Sequence, residues 1–460
     1  MSVFVPKPSV EGIVWPSLPG RRVTAILAIL FQLEHSQWWP SEKIRGLQFR
    51  QLGRLLAHAY RTVPFYRERQ RKAGLTAKAP LTPEQWAEIP LLQRQDIQAA
   101  GPALHSTRVP DGHGRVSTIF TSGSTGKPIG SLRTELTGLF WESFTLRDHL
   151  WHRRDPTQKL AAIRSAKEGA SPYPDGSVGR WGFGSDAIFN AAPAISLNIN
   201  CTVEQQVEWL QRQNPAYLLT FPSNVLRLAK HCLEKGIELR NLRQVQAISE
   251  VLGAEIRAAC RQAWGVPVTD LYSSREVGYM ALQCPDHEHH HVQAEGVLVE
   301  IVDDRGRACA PGEVGKVVVT PLHNFAMPLL RYEIGDYAEV GESCSCGRGL
   351  PVLRRILGRV QNMVVLPSGE RHWTLLSSEN IGAFLDIAPI RQYQFVQKNL
   401  QSIESRLVVE RDLTPREEDH LRKWIVNKLG HPFEVTFTYH EEIARSASGK
   451  YQDFISEVET

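Results

Sequence analysis

The sequence predicts an α/β protein in two parts: a large N-terminal unit of mixed sheets with flanking helices, and a small, mobile α+β unit at the C-terminus. Three observations carry this expectation. At 460 residues the chain exceeds what one hydrophobic core usually serves, so it should divide. From about residue 115, apolar runs at 160–163, 217–220 and 266–272 alternate with amphipathic runs at 203–213 and 224–235. That is the pattern of strands joined by crossover helices. The last hundred residues then change character and read as a compact unit of their own.

In chain order, residues 1–110 form a mainly helical lead-in to a large unit spanning 1–357. Residues 42–73, rich in Arg, Gln and Leu at helical spacing, read as surface helices. Residues 297–302 and 316–320, with a turn at 303–306, read as a β-hairpin. In the small unit, 358–460, a strand is expected at 405–410. Thr414-Pro415-Arg416-Glu417 is a capping box with proline at the first helical position. That helix should run to Leu429 and stop at Gly430. Residues 433–439 alternate cleanly and predict a second strand.

Composition narrows the function. Hydrophobic residues make up 42% and charged residues 22%, as in ordinary soluble proteins. A net charge of +4 is too mild for a nucleic-acid partner but suits anionic substrates. Residues 1–16 lack the basic-then-apolar pattern of a signal peptide. The longest early apolar run, 23–31, is too short to span a bilayer. Seven cysteines do not suggest a disulfide framework in a chain of this size. A cytoplasmic protein with no membrane span is the expectation.

The densest chemical signal is Thr121-Ser122-Gly123-Ser124-Thr125-Gly126-Lys127-Pro128, after the strand-like Ile119-Phe120. Glycines let the backbone approach a phosphate, and N–H and hydroxyl groups donate to its oxygens. A Walker A loop would need four residues between its first glycine and the Gly-Lys pair; here there are two. Further along stand Tyr272-Ser273-Ser274-Arg275-Glu276, Arg331-Tyr332-Glu333-Ile334-Gly335-Asp336, Gly358-Arg359 and Ser448-Gly449-Lys450.

In this order the five segments resemble the signatures of the adenylate-forming superfamily of acyl-CoA synthetases, adenylation domains and luciferases. The resemblance covers about 115–455. Val63-Pro64-Phe65-Tyr66 and Pro90-Leu91-Leu92, with the compact length, are most similar to the phenylacetate-CoA ligase and CapK-like branch. The resemblance implies ATP-dependent activation of a carboxylic acid, possible aryl acids included, to an acyl-adenylate with release of pyrophosphate. Transfer to a thiol follows, with coenzyme A as the first choice. Transfer to an amine or a carrier protein, and a non-catalytic nucleotide-binding member of the fold, are the alternatives.

It also implies roles. Thr121, Ser122, Gly123, Ser124, Thr125, Gly126 and Lys127 would hold the ATP phosphates. Tyr272 would pack near adenine beside Ser273 and Ser274. Glu276 would bind Mg²⁺, a hard cation suited to carboxylate oxygen. Asp336 would take the ribose hydroxyls, Arg359 would contact the nucleotide, and Lys450 would be the catalytic lysine of a swinging loop. The chain departs from the pattern at Ser273, usually glycine, at Arg275, usually Thr or Ser facing the α-phosphate, and at the hinge residue Gln361. An arginine at 275 can reach that phosphate with two bonds or serve as a structural ion-pair partner. The acid should enter between residues 181–183 and the strand ending at Tyr272.

Cys284, His291, Cys344 and Cys346 form a separate constellation. A Cys-x-Cys turn with a distant Cys/His pair can make a tetrahedral structural Zn²⁺ site, and relatives in this branch resemble it there. His287, His289 and His290 compete for the imidazole position. Cys201, Cys232, Cys260 and Cys309 show no pattern.

Overall fold

In the computed structural model, the described residues are 6–73, 81–120, 129–167, 169–359, 363–373, 378–446 and 450–458. Among them, twelve strands form one large sheet. One half is antiparallel: Val297–Val302, Val314–Pro321, Tyr332–Val340, Val352–Arg359, His290–Val292 and Gly278–Gln283. Val268–Ser274 is the seam. It pairs antiparallel with Gly278–Gln283 and parallel with Gln244–Ala247. Beyond it the sheet continues through Tyr217–Thr220, Leu160–Arg164 and Ala194–Asn198, all parallel, to the antiparallel edge strand Ser177–Gly179.

The parallel half follows from local signals. Helix Val203–Gln213 starts at a capping box between Thr202 and Gln205 and stops at Asn214, which takes φ 47°. Helix Pro222–Lys235 begins with proline at its first turn and ends at Gly236 in the left-handed region. Both helices bury apolar stripes in one core with strand residues such as Ile163, Leu197, Leu218 and Val245.

Residues 42–73 are helical, as expected, in Ser41–Thr62 and Pro64–Ala73, and Ser41–Thr62 is amphipathic, exposing one face and burying the other. Leu52, Leu55, Leu56 and Ala59 are buried in the main core with Met280, Leu282, Val317 and Tyr332. Each such leucine contributes about 1.5–3 kcal/mol through burial. Arg45, Arg50, Arg54 and Arg61 dress the outer face, and such residues dominate a composition-based reading. Gln48 is also buried, donating to the carbonyls of Ala294 and Val297.

The C-terminal unit is a four-stranded mixed sheet in the order Glu434–Tyr439, Ser402–Val409, Ile390–Gln397, Phe454–Ser456. Helix Pro415–Leu429 carries the expected capping box and Gly430 stop. Its Leu421, Ile425 and Leu429, spaced by four, share a core with Phe384, Phe395, Ile403 and Phe454. Among the described residues, no helix is long and apolar enough to cross a membrane.

Arg331 opens one of the sequence motifs, yet its role is architectural. It takes φ 51°, and its guanidinium is buried. Nη1 donates to the carbonyls of Ala87 (2.5 Å) and Ile89 (2.8 Å), and Nη2 pairs with Glu300 at 3.2 Å. The lead-in thereby joins the antiparallel half, and Leu92 extends the join through backbone bonds with Arg331 and Glu333. Arg331→Ala leaves the mostly enclosed Glu300 without its cation. It should lower the stability of the large domain by about 3–5 kcal/mol, read as a shifted first transition in urea unfolding followed by tryptophan fluorescence.

Candidate active site

Open α/β sheets bind ligands beyond the carboxyl ends of their strands, where the topology switches. Here that place is the end of the seam strand Val268–Ser274. The chain turns tightly through Arg275-Glu276-Val277 and returns as Gly278–Gln283. The register slips between Tyr272 and Ser273, a bulge of the sort that re-aims side chains beside functional clefts. Ser274 Oγ braces the turn by accepting from Val277 N–H at 3.2 Å.

Tyr272 is buried and donates its hydroxyl to Asp336 Oδ2 at 2.7 Å. Burial first, then the Asp336 carboxylate, pushes its phenol well above the usual range, so it stays a neutral donor. Asp336 sits within strand Tyr332–Val340 rather than at a plain turn. The pairing with Val314–Pro321 slips around Val317, and Gly335 takes φ 88° there. Glycine adopts that backbone without strain. The next strand sets Arg359 opposite Asp336, with Nε 3.5 Å from Oδ1. Asp336 is thus held from both sides with its carboxylate at the cleft.

Lys450 arrives from the other domain and is half-buried. Burial lowers its pKa most, followed by Arg359; Asp336, Glu250 and Glu276 pull it back up. The charges of these four groups act on its amine, which places Lys450 on the side of the sheet where Asp336 and Arg359 are paired. The lysine is held there, not displayed on a free loop: Ser446 donates through both N–H (2.9 Å) and Oγ (3.0 Å) to the Lys450 carbonyl.

Arg275 is exposed, and its Nη1 donates to the Phe120 carbonyl at 3.2 Å. Its described hydrogen bond is therefore to backbone at the base of the Thr/Ser/Gly-rich segment. Residues Thr121 to Lys127, Gln361, Ser448 and Gly449 lie outside the described residues. The strands flanking 121–128, Val116–Phe120 and Gly130–Thr134, pair antiparallel with Phe120 opposite Gly130.

A cavity of about 60 Å³ lies beside Glu276, lined by Phe140, Trp141, Phe144, Tyr279, Gly296 and His323 among others. It is not where the sequence suggested. Trp181 packs instead with Ala194 and Tyr217 in a separate cluster. A Cβ on Gly296 would come within 2.6 Å of the Phe144 ring, so glycine there makes the close approach possible. Helix Glu135–Trp151 supplies three of the aromatics. The sequence reading did not single them out; the gap beside Gly278 is what sets them apart.

The cysteines also converge. Cys284 Sγ is 3.9 Å from Cys344 Sγ, and Cys346 Sγ is 3.4 Å from His291 Nε2. Donor atoms of Cys284, His289, His291 and Cys344 lie within 4.8 Å of one another, as do those of Cys284, Asp286 and Cys346. His289 therefore joins the cluster, while His290 turns to Asp270 at 3.2 Å and His287 to Ser345 at 3.0 Å. Burial raises the Cys284 thiol to about 12 and lowers His291 to about 3.

The chain is similar to known proteins. The CapK C-terminal domain family matches residues 374–457. The phenylacetate-coenzyme A ligase of Thermus thermophilus is 30% identical over 347 residues, 71% of this chain and 73% of its own. The chain belongs to the phenylacetate-CoA ligase family. Another ligase of that name, from Pseudomonas putida, is 22% identical over 89% of this chain and 91% of its own. In fold, this family member is similar to 2-hydroxyisobutyryl-CoA ligase in its postadenylation state with R3-HIB-AMP. The TM-score is 0.71, with 19% identity and 92% of each chain covered.

The bulge at Gly335 gives a direct check. A Cβ there meets nothing within 4 Å, so Gly335→Ala costs backbone energy alone, about 1–2 kcal/mol. The relaxed strand should turn Asp336 away from Tyr272. Loss of stability by that amount, together with a Tyr272 phenol that titrates closer to its ordinary range in ultraviolet difference spectra, is the expected result.

Proposed function

We propose that this chain activates a carboxylic acid with ATP, releasing pyrophosphate to form an acyl-adenylate, and then transfers the acyl group to the thiol of coenzyme A. The observation that carries the reading is Asp336 held between Tyr272 and Arg359 at the carboxyl end of the seam strand, with the charges of Asp336, Arg359 and Glu276 acting on the Lys450 amine. Attack of a carboxylate on the α-phosphate brings two anions together, so cations and donors must meet the developing charge. Lys450 supplies that charge between the carboxylate and the phosphate. Asp336 accepts from the two ribose hydroxyls, Tyr272 flanks the adenine with Ser273 and Ser274 nearby, and Arg359 contacts the nucleotide. Glu276 is the carboxylate for Mg²⁺, and Thr121–Lys127 cradle the β- and γ-phosphates. We assign Arg275 to holding the base of that loop through Phe120. The acid's side chain enters the aromatic cavity, whose flat lining suits an aryl acid such as the phenylacetate that names the relatives. The small domain begins after Arg359, where strand Val352–Arg359 ends, and its rotation separates the two half-reactions.

Lys450→Ala should lower acid-dependent pyrophosphate exchange about 10²- to 10³-fold, as loss of a transition-state contact does. Thioester formation from pre-made acyl-adenylate should fall far less. Equal losses in the two assays would remove the division of labour between domain positions. Exchange without coenzyme A consumption, but with consumption of an amine or a carrier thiol, would reassign the acceptor.

We further propose a structural zinc held by Cys284, His291, Cys344 and Cys346. A tetrahedral site with Zn–S near 2.3 Å and Zn–N near 2.0–2.1 Å has S···S edges of about 3.8 Å and S···N edges of about 3.5 Å. The 3.9 and 3.4 Å separations fit those edges. Four protein ligands leave no open position, so the ion ties loops together and takes no part in the reaction. Elemental analysis should find about one zinc per chain. Cys346→Ser should lose the metal and much stability, since metal-binding energy is folding energy, whereas His289→Ala should keep it. Retention by the first variant and loss by the second would move the fourth ligand to His289.

A further inference from the structure

Between the two domains lies a buried contact that no sequence motif marks. Strand Gln244–Ala247 ends and the chain turns through Ser249, which takes φ 69°. A non-glycine residue in that region is costly and persists only where its surroundings enforce it. The turn presents Glu250 to the first turn of helix Pro222–Lys235, where Ser223 N–H donates to Oε2 at 2.9 Å. A carboxylate at a helix N-terminus is favoured by the exposed N–H groups and the helix dipole.

The other carboxylate oxygen faces the small domain. Glu250 Oε1 accepts from Tyr451 N–H at 2.6 Å and lies 3.5 Å from Arg445 Nη1. Arg445 Nη1 also donates to Ser223 Oγ at 2.9 Å, and its guanidinium lies 5.9 Å from the ring centres of both Phe221 and Tyr451. The Glu250 and Arg445 side chains are 8% and 10% exposed. Burial raises the Glu250 carboxyl and Arg445 opposes that rise, so each charge depends on the other.

The Tyr451 N–H belongs to the peptide unit that joins it to Lys450. Ser446 grips the carbonyl of that same unit. One peptide plane, next to the catalytic lysine, is therefore clamped by its own loop on one side and by the large domain on the other. We infer that Glu250 and Arg445 are positioning residues, forming a latch that holds Lys450 in the adenylation pose and opens when the small domain rotates for thioester formation. The inference rests on the acyl-adenylate reading given above. It assigns the latch to one half-reaction only. Rotation about the domain junction moves Arg445 and Tyr451 away from Glu250, so the latch cannot serve the second step.

Three variants test it: Arg445→Ala, Arg445→Lys and Glu250→Gln. Arg445→Ala should lower pyrophosphate exchange about 10- to 100-fold, the range typical of coupling between two states, while thioester formation from added acyl-adenylate changes less than about threefold. Arg445→Lys should restore part of the exchange, which a merely structural lesion would not do. Glu250→Gln should behave like Arg445→Ala, and because Arg445 lies on the small domain, its variants remain informative if loss of Glu250 perturbs helix Pro222–Lys235. Hydrogen exchange supplies a readout independent of activity. Peptides containing Tyr451 should be slow in the wild type and faster in Arg445→Ala, with the small-domain core unchanged. Equal loss in both half-reactions, or no loss in exchange, would overturn the latch. So would unchanged hydrogen exchange, which decides the matter even if no acid supports pyrophosphate exchange and the acyl-adenylate reading itself falls.

Discussion

The strand Val268–Ser274 has to satisfy two hydrogen-bonding geometries at once, parallel on one edge and antiparallel on the other. Parallel neighbours need crossover helices, so the chain on that side leaves and re-enters the sheet with all its carboxyl ends pointing one way. Antiparallel neighbours need only short turns, so on the other side the chain can fold straight back. The cleft exists because both kinds of connection meet at one strand end. From the parallel side come Ser223 and Glu250, each just past the end of its strand. From the antiparallel side come Glu276 in the tight turn and Asp336 and Arg359 from neighbouring strands. If the seam moved by one strand, these groups would face different ends of the sheet.

How much of this was legible follows from how each residue announces itself. Tyr272, Glu276, Asp336, Arg359 and Lys450 sit in segments whose order and residue types point to nucleotide chemistry; the charges of Glu276, Asp336 and Arg359 act on the amine of Lys450, and Tyr272 is bonded to Asp336. The amphipathic helices and their caps were equally readable, because capping boxes and left-handed stops act over a few residues. Long-range packing was not. Arg331 lies inside a motif yet clasps the lead-in, since nothing local reveals that its partners are the carbonyls of Ala87 and Ile89. Helix Ser41–Thr62 looked solvent-facing because its polar residues outnumber its apolar ones, although the apolar ones fall on one stripe. Glu250 is a single carboxylate in an unremarkable loop, and its meaning depends wholly on Arg445, some two hundred positions away.

The pocket shows the same limit from the other direction. Aromatics at 181–183 and at 140–144 are indistinguishable by type, and the sequence pointed to the first set, while the cavity beside Glu276 is lined by the second. What separates them is the absence of a side chain at Gly278 and Gly296. These glycines leave room beside Tyr279 and let the Phe144 ring close the space. A cavity is a property of what is missing, and periodicity registers only what is present.

The placement of the final strand sets a clock. Residues 451 to 456 are stitched to Ile390–Gln397 without a break: the Tyr451 hydroxyl to the Tyr393 carbonyl, Gln394 to the Gln452 carbonyl, Phe395 N–H to the Asp453 carbonyl, and Phe454–Ser456 as a parallel strand. Lys450 directly precedes these bonds, so the segment that follows it is fastened to the four-stranded sheet. On the rotation proposed above, the lysine would travel with that whole unit, in microseconds to milliseconds, where a tethered loop would move in nanoseconds. The interval between making the adenylate and exposing it to a thiol would then be set by the movement of a domain, and the reactive intermediate would stay shielded for as long as that takes.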